Sequence, residues 1–150
     1  MVSAAIDTNV LVYAEAPYGA RAGVRELLKA CPRDRTFVPA QALGELYDVL
    51  VQKSRVERAL AKSIVGGWTS VFNVVETSAA VLDAGLELAS EHRLQIWDST
   101  ILAAAASAGC SLLLTEDMQD GFHWRGVTVV DPFAENRSPL LDKFLSQRRG

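Results

Sequence analysis

Short, fully apolar segments alternate along the chain with longer segments whose apolar residues recur at helical spacing. The apolar segments predict strands at 2–6, 36–38, 71–75, 112–114 and 127–130. The helical spacing predicts helices at about 10–14, 21–30, 40–53, 56–68, 79–92 and 99–107. Gly66 and Gly67 weaken the fourth of these helices, and a break is expected at Pro17-Tyr18-Gly19.

Fully apolar strands that alternate with helices are typical of a parallel sheet covered on both faces. We therefore predict an α/β fold, a three-layer α/β/α sandwich with a central, mainly parallel sheet of about four to five strands. Ligands bind such sheets beyond the carboxyl ends of the strands. Residues that bind a ligand or catalyse a reaction are accordingly expected in the loops that follow Ile6, Val38, Val75, Leu114 and Val130.

The composition is that of an ordinary globular domain, with 150 residues of which 49% are hydrophobic and 22% charged. This length predicts one domain over residues 1–150, and the pattern leaves open how an apolar tail at about 133–150 packs. No segment approaches the ~20 apolar residues of a membrane span, and no export signal is evident, so a cytoplasmic location is expected. Two distant cysteines, Cys31 and Cys110, do not predict a zinc site.

A net charge of −3 argues at first against a nucleic-acid partner, because most such proteins are basic. The cations are nevertheless clustered. The clusters are Arg21, Arg25, Lys29, Arg33 and Arg35; Lys53, Arg55, Arg58 and Lys62; and Lys143, Arg148 and Arg149. Arg21, Arg25 and Lys29 form a stripe at i, i+4 and i+8 on the second predicted helix. Such runs are most often solvated helix faces.

Acidic residues follow two of the predicted strands and open one predicted helix. Asp7 follows the first strand, Asp117 and Asp120 follow the strand at 112–114, and Asp98 precedes a helix rich in alanine. Carboxylates that meet in a partly dry cleft need protons or a cation, and ligands that are all oxygen favour Mg²⁺ or Mn²⁺ over zinc. Taken singly, Asp7 and Asp98 are also good helix N-caps, and Asp117 and Asp120 are good turn formers.

Glu45 lies on the helix predicted at 40–53, nearly opposite its apolar face. Periodicity therefore predicts that Glu45 is exposed to solvent. It becomes a metal ligand only if that face of the helix borders the cleft. Asp48, one helical turn away, is an alternative at the same place.

Four motifs, in this order, resemble the PIN-domain proteins and, among them, the VapC-type toxins of bacterial toxin–antitoxin pairs. The motifs are Ala5-Ile6-Asp7-Thr8-Asn9-Val10-Leu11, then Glu45 in a mid-chain helix, then Ile96-Trp97-Asp98-Ser99, and finally Leu113-Leu114-Thr115-Glu116-Asp117-Met118-Gln119-Asp120-Gly121. The resemblance spans Val2 to Pro132. Each motif alone is weak, but their order and spacing within one short chain are specific.

The resemblance implies a PIN-like fold and a metal-dependent endoribonuclease in which Asp7, Glu45, Asp98 and Asp117 hold Mg²⁺ or Mn²⁺. Asp120 is an alternative to Asp117 or shares its role. The hydroxyl and amide groups that position the acids in this family correspond to Thr8, Asn9 and Thr115. The resemblance also implies a homodimer and a small VapB-like antitoxin, which in this family often places a basic side chain in the acidic pocket.

An RNA substrate needs cations for its phosphates, and the candidates are Arg21, Arg25, Lys29, Arg55, Arg58 and Lys62.

Two other enzyme classes that also use acidic residues at strand ends fit the sequence poorly. A haloacid-dehalogenase-type phosphatase needs a second Asp where this chain has Asn9, and a receiver-type phosphoacceptor needs a Lys after a late strand, where none occurs between Lys62 and Lys143. A non-catalytic module with an acidic pocket for a basic partner is the remaining alternative. We do not expect a catalytic role for His92 or His123.

Overall fold

The computed structural model describes residues 1–16 and 21–147. The break predicted at 17–19, and Arg148 and Arg149 of the third cationic cluster, lie outside the described residues. The strands are β1 (Ala4–Ile6), β2 (Thr36–Pro39), β3 (Asn73–Val75), β4 (Leu112–Leu114), β5 (His123–Trp124) and β6 (Val127–Val130). The α-helices are α1 (Thr8–Glu15), α2 (Val24–Ala30), α3 (Ala40–Gln52), α4 (Arg58–Val71), α5 (Ala79–His92), α6 (Ile96–Ser107) and α7 (Pro139–Leu145). Within the described residues, none of these helices combines the length and the apolar character that crossing a bilayer requires.

The strands form one sheet in the order β3-β2-β1-β4-β6-β5, in which all pairs are parallel except β5 with β6. The predicted α/β fold with a mainly parallel sheet is therefore confirmed, although the sheet has six strands. The additional strand, β5, has only two residues, which is too short for an alternating pattern to register.

The central strands β1 and β4 are buried at every position. Their register pairs Ile6 with Leu114, so the residues that follow both strands leave the sheet side by side. Asp7 N–H donates to the Leu114 carbonyl at 3.0 Å and continues this pairing by one residue. The fold thereby brings two segments about a hundred residues apart to one edge of the sheet.

Several predicted boundaries are wrong. α2 begins at Val24 rather than at 21, because Gly23 takes a left-handed φ of +81° immediately before it, so Arg21 is not part of a helical stripe. α4 continues through both of its glycines to Val71, and β3 consequently begins only at Asn73. α6 begins at Ile96, three residues earlier than predicted.

The apolar tail folds back onto the protein. Leu141 and Phe144 of α7 are completely buried within the main hydrophobic core. Gln147, just beyond α7, accepts a 2.7 Å hydrogen bond from the Val2 N–H and donates a 2.8 Å bond to the Val2 carbonyl. The described part of the tail therefore packs against the core and beside the entry to β1.

Candidate functional site

A cleft of about 1030 Å³ opens at the carboxyl ends of four neighbouring parallel strands. Its lining includes Thr8 after β1, Gln41 after β2, Thr77 after β3 and Asp117 after β4. These are four of the five loops in which the parallel-sheet rule predicts chemistry. The loop after Val130 contributes no lining residue among those described.

Asp7 is buried behind this lining, with 2% of its surface exposed. It caps α1 by accepting a 2.7 Å hydrogen bond from the Thr8 N–H, and the Thr115 hydroxyl donates to its other oxygen at 2.8 Å. Burial raises the pKa of Asp7 to about 6, although the bonds from Thr115 and Thr8 lower it and the charges of Asp98 and Glu45 raise it further. The capping role and a place in the acidic site are therefore compatible.

Asn9 connects the loops that follow β1 and β4. Its amide nitrogen donates to the Thr115 hydroxyl at 2.9 Å and to the Asp117 carboxylate at 3.1 Å, and it lies 3.4 Å from Asp7. Its carbonyl oxygen accepts the Glu116 N–H at 3.3 Å. One amide thus fixes the spacing between two of the predicted acids.

Glu45 is half-buried, so the exposure predicted by periodicity is wrong. The reason is that α1 packs against α3 on this side of the cleft. The Thr8 hydroxyl donates to Glu45 Oε2 at 2.6 Å, and the Gln41 amide donates to Oε1 at 3.1 Å. Glu45 lines the cleft, and Asp48 lines it one turn further along α3.

Asp98 lies in the first turn of α6 and does not cap that helix. Gln95 is the N-cap, and its side chain accepts the Asp98 N–H at 2.9 Å. Burial raises the pKa of Asp98 above its ordinary value, and the charges of Asp117 and Glu45 add to this effect. Asp98 is therefore electrostatically coupled to the acids on two other elements.

The four acids have the chemistry of a site for a hard cation. In the described part of the chain none of them forms an ion pair, and the charges of Glu45 and Asp98 both raise the pKa of the buried Asp7. A bound divalent cation would remove this mutual repulsion. Among residues 1–16 and 21–147, no three Asp, Glu, His or Cys side chains are placed to hold a metal ion as they stand. Coordination by three of them therefore requires side chains to move together.

Other predicted residues lie elsewhere. The Asp120 carboxylate accepts the Asp131 N–H at 2.9 Å and does not line the cleft. Arg25 donates from Nε to the Ala14 carbonyl at 3.1 Å. Lys29 lies with Arg25 in a second, separate pocket. Arg55, Arg58 and Lys62 are not among the described residues that line the cleft.

Arg21 is the predicted RNA-binding cation that lies beside the cleft. It forms a 2.6 Å ion pair with Glu116, which also accepts a hydrogen bond from the Tyr13 hydroxyl. The guanidinium group lies 5.8 Å from the ring centre of Tyr13 and 5.3 Å from that of Phe133. Tyr13 and Glu116 line the cleft, so this cluster places a positive charge at its rim.

Ten lining residues were not predicted to belong to the site. They are Val12, Tyr13, Ala40, Gln41, Gly44, Val49, Lys53, Thr77, Trp97 and Glu116. Gly44 lies beside Glu45 on α3, Lys53 is the residue that follows this helix, and Trp97 directly precedes Asp98 within one of the four motifs. The position of Gly44 next to Glu45 and of Trp97 next to Asp98 could have indicated that these residues belong to the site. This reasoning requires, however, that the helix face that borders the cleft is already known.

The sequence profile of the PIN domain matches residues 4–121. No relative is found among curated proteins. A toxin–antitoxin complex from Klebsiella pneumoniae is similar in structure, with 25% identity, coverage of 87% of this chain and 98% of that chain, and a TM-score of 0.64. VapC20 of Mycobacterium tuberculosis, a toxin that cleaves the sarcin–ricin loop, is 19% identical, with 74% and 87% coverage and a TM-score of 0.64. DNA-bound VapBC from Salmonella typhimurium is 17% identical, with 86% and 97% coverage and a TM-score of 0.64.

Proposed function

The chain belongs to the PIN-domain family, and from this premise we propose that it is a metal-dependent endoribonuclease and the toxin of a VapBC-type pair. Support comes from the site itself. Asp7, Glu45, Asp98 and Asp117 come from four separate segments, and each of Asp7 and Asp98 has its pKa raised by the charge of others in the set. This electrostatic coupling beside a single cleft is the observation that carries the proposal.

In this proposal Asp7, Asp98 and Asp117, with Glu45, hold Mg²⁺ or Mn²⁺. A carboxylate-held divalent ion, when bound, lowers the pKa of water and offsets charge on phosphate oxygens, which is the chemistry that phosphodiester hydrolysis requires. The polar residues around the acids have positioning roles. Thr8 holds Glu45, while Asn9 and Thr115 hold the acids of the β1 and β4 loops at a fixed spacing.

The proposed partners are RNA, a small VapB-like antitoxin and a second copy of the chain. The similarity to a toxin–antitoxin complex supports the antitoxin, for which the acidic cleft offers a place for a basic side chain. Leu82 and Leu86, one turn apart on α5 and 38% and 50% exposed, offer apolar surface for a homodimer. We place the pair in the cytoplasm, together with its RNA substrate, and treat residues 1–150 as one domain because α7 packs into the main core.

The test is a cleavage assay on a panel of structured RNAs with Mg²⁺, with Mn²⁺ and with chelator. We expect cleavage only with a divalent ion, and a loss of at least about a hundredfold in Asp7→Asn and Asp98→Asn. Asp83→Asn is the matched control, because Asp83 is an exposed acid on α5 that does not line the cleft. It should cleave like the wild type.

Two outcomes would contradict the proposal. Cleavage that persists in chelator would show that the reaction does not require a metal ion. The absence of cleavage by the wild type on every RNA, with antitoxin binding retained, would instead support a non-catalytic module whose acidic pocket receives a basic partner.

A further inference from the structure

A second pocket, of about 400 Å³, lies between the end of α1, helix α2 and the end of α4. It shares no described lining residue with the acidic cleft. Its volume falls within the range of roughly 300–1,000 Å³ that is typical of small-molecule sites. All three helices contribute apolar side chains, Ala14, Leu28 and Val71 among them. Three cations also line the pocket, and they are Arg25, Lys29 and Arg33.

The positive charge of this pocket is largely uncompensated. Within the part of the chain that the structure describes, none of the three cations forms an ion pair. Arg25 donates from Nε to the Ala14 carbonyl at 3.1 Å, which orients the guanidinium while its two terminal nitrogens remain available for an anion. Glu15 is the one carboxylate among the described lining residues, and it accepts a 3.0 Å hydrogen bond from Trp68 Nε1.

Trp68 gives the pocket a rigid aromatic side. Its ring stacks on that of Phe72, with centres 6.0 Å apart and planes inclined by 20°, and the bond from Nε1 to Glu15 restricts its rotation. Trp68 is half-buried, so part of the indole is accessible from the pocket that it lines. Aromatic side chains held in this way bind flat rings such as nucleobases.

We propose that this pocket binds a nucleoside 5′-monophosphate, with the phosphate held by Arg25, Lys29 and Arg33 and the base packed against Trp68. A phosphate monoester carries a charge of about −1.5 to −2 at pH 7, which matches three cations and one carboxylate better than a singly charged ligand does. Arginine also presents a planar fork that fits phosphate oxygens. The site is independent of the proposed nuclease function.

This proposal accounts for cations that the acidic cleft does not use. The sequence predicts Arg25 and Lys29 as contacts for RNA phosphates, yet both line the second pocket. They lie one turn apart on α2, so their side chains extend from the same side of the helix. Arg33 joins them from the short 3₁₀ helix Arg33–Arg35 that follows. A pocket of this volume accommodates one nucleotide and not a strand of RNA, which favours a free mononucleotide.

The test is isothermal titration calorimetry with adenosine 5′-monophosphate (AMP) at low salt and with chelator, because the acidic cleft repels phosphate when no cation is bound. We expect a Kd below about 1 mM. Adenosine, which lacks the phosphate, and ribose 5-phosphate, which lacks the base, should each bind at least about tenfold more weakly. Lys29→Ala should raise the Kd for AMP about tenfold. Lys62→Ala is the matched control, because it removes an exposed lysine of α4 outside the described lining, and it should leave the Kd unchanged.

Tryptophan fluorescence locates the bound nucleotide. AMP should quench the emission of the wild type, since the base packs against the indole of Trp68. The quenching should be lost in Trp68→Phe, in which phenylalanine keeps an aromatic ring beside Phe72. It should persist in Trp97→Phe, because Trp97 lines the acidic cleft and not the second pocket. Circular dichroism confirms that both variants are folded.

Three outcomes would overturn the inference. If AMP does not bind the wild type, or binds Lys29→Ala equally well, the cations do not form a phosphate site. If quenching is lost in Trp97→Phe and kept in Trp68→Phe, the nucleotide lies in the acidic cleft. If an acidic, leucine-rich peptide binds at this pocket and AMP does not compete with it, the pocket is a protein contact. A failure of the wild type to cleave RNA would contradict the proposed function and leave this inference intact.

Discussion

The Thr8 hydroxyl donates a 2.6 Å hydrogen bond to the Glu45 carboxylate, and this contact joins the start of α1 to the middle of α3. The two residues are 37 positions apart in the chain. Because Thr8 directly follows Asp7, the bond relates the position of one candidate metal ligand to that of another. It explains how a glutamate on the polar side of a helix is held in a site and not left in solvent.

Thr8→Val should therefore impair the site more than the fold. Valine has the shape of threonine but cannot donate, and a hydrogen bond to a charged group is worth about 1.5–3 kcal/mol. We expect divalent-ion-dependent cleavage to fall about tenfold or more, while the protein stays folded with a melting temperature lower by about 3–12 °C. Thr69→Val removes an exposed hydroxyl that donates to the Gly66 carbonyl, and it serves as the control. Full activity in Thr8→Val would show that Glu45 needs no such support.

The sheet could be predicted because the strands are short and apolar at every position. Leu112–Leu114 and Val127–Val130 have the predicted bounds, as does the helix Ala79–His92. The errors in the predicted element boundaries occur where the local helix preference of the residues and their packing in the fold favour different structures. The glycines of α4 suggest a weak helix, yet the helix continues because Phe72 stacks on Trp68 and closes its end against the core.

The site could be predicted only in part, since the position of an acid after a strand is visible in sequence but its neighbours are not. Asp7 and Asp117 follow paired parallel strands, which places them at one edge. The prediction that Glu45 is exposed was wrong because helical periodicity identifies only the residues that face the core. It does not distinguish a polar residue that borders a cleft from one that faces bulk water. The link that Asn9 makes between two loops depends on hydrogen bonds across 108 positions of chain.

The pKa of Asp7 predicts that stability without metal declines as the pH rises. The folded protein keeps this proton up to about pH 6, whereas an ordinary aspartate releases it near 3.8. Between these values the folded state binds more protons, so the free energy of unfolding falls with increasing pH, by about 3 kcal/mol in total. In chelator, Asp7→Asn should therefore be more stable than the wild type at about pH 7.5 and no more stable at about pH 4.

Denaturant unfolding at several pH values measures this difference. The exposed Asp83 supplies the control, since Asp83→Asn removes an acid that lies outside the buried cluster and should not reproduce the gain in stability of Asp7→Asn. An Asp7→Asn protein that is less stable than the wild type at neutral pH would show that the bonds from Thr115 and Thr8 outweigh the cost of burying the charge.

Divalent ions should offset most of this difference in stability between the wild type and Asp7→Asn. An ion that binds only the folded state at a hundred times its Kd adds about 2.7 kcal/mol, which corresponds to a rise of about 5–10 °C in the melting temperature for a chain of this size. Mg²⁺ or Mn²⁺ should therefore raise the melting temperature of the wild type but not that of Asp7→Asn or Asp98→Asn. Differential scanning calorimetry with and without chelator measures the shift. An equal shift in all three proteins would place the ion elsewhere.

Arg21→Ala should weaken RNA binding without affecting metal binding. The guanidinium lies at the rim of the cleft, beside Glu116 and the ring of Tyr13, and we expect it to contact a flanking phosphate of the proposed RNA substrate. Removing one phosphate contact reduces the slope of log K against log salt by about 0.7 for single-stranded RNA. Arg137→Ala is the control, because Arg137 is similarly exposed and pairs with Asp142 away from the cleft. Unchanged affinity at low salt would exclude Arg21 from the RNA path.

Gly85→Ala should destabilise the protein although it exchanges glycine for a better helix former. A Cβ at this position of α5 would lie 2.8 Å from the Thr100 hydroxyl oxygen and 3.0 Å from Thr100 Cα, so α5 and α6 would have to separate. Such overpacking costs about 1–3 kcal/mol, and it would also displace the turn of α6 that carries Asp98. Gly67→Ala, with open space around its Cβ, should instead gain up to about 1 kcal/mol. Thermal unfolding of both variants tests the contrast, and a stable Gly85→Ala protein would mean that the two helices are not in close contact at Thr100.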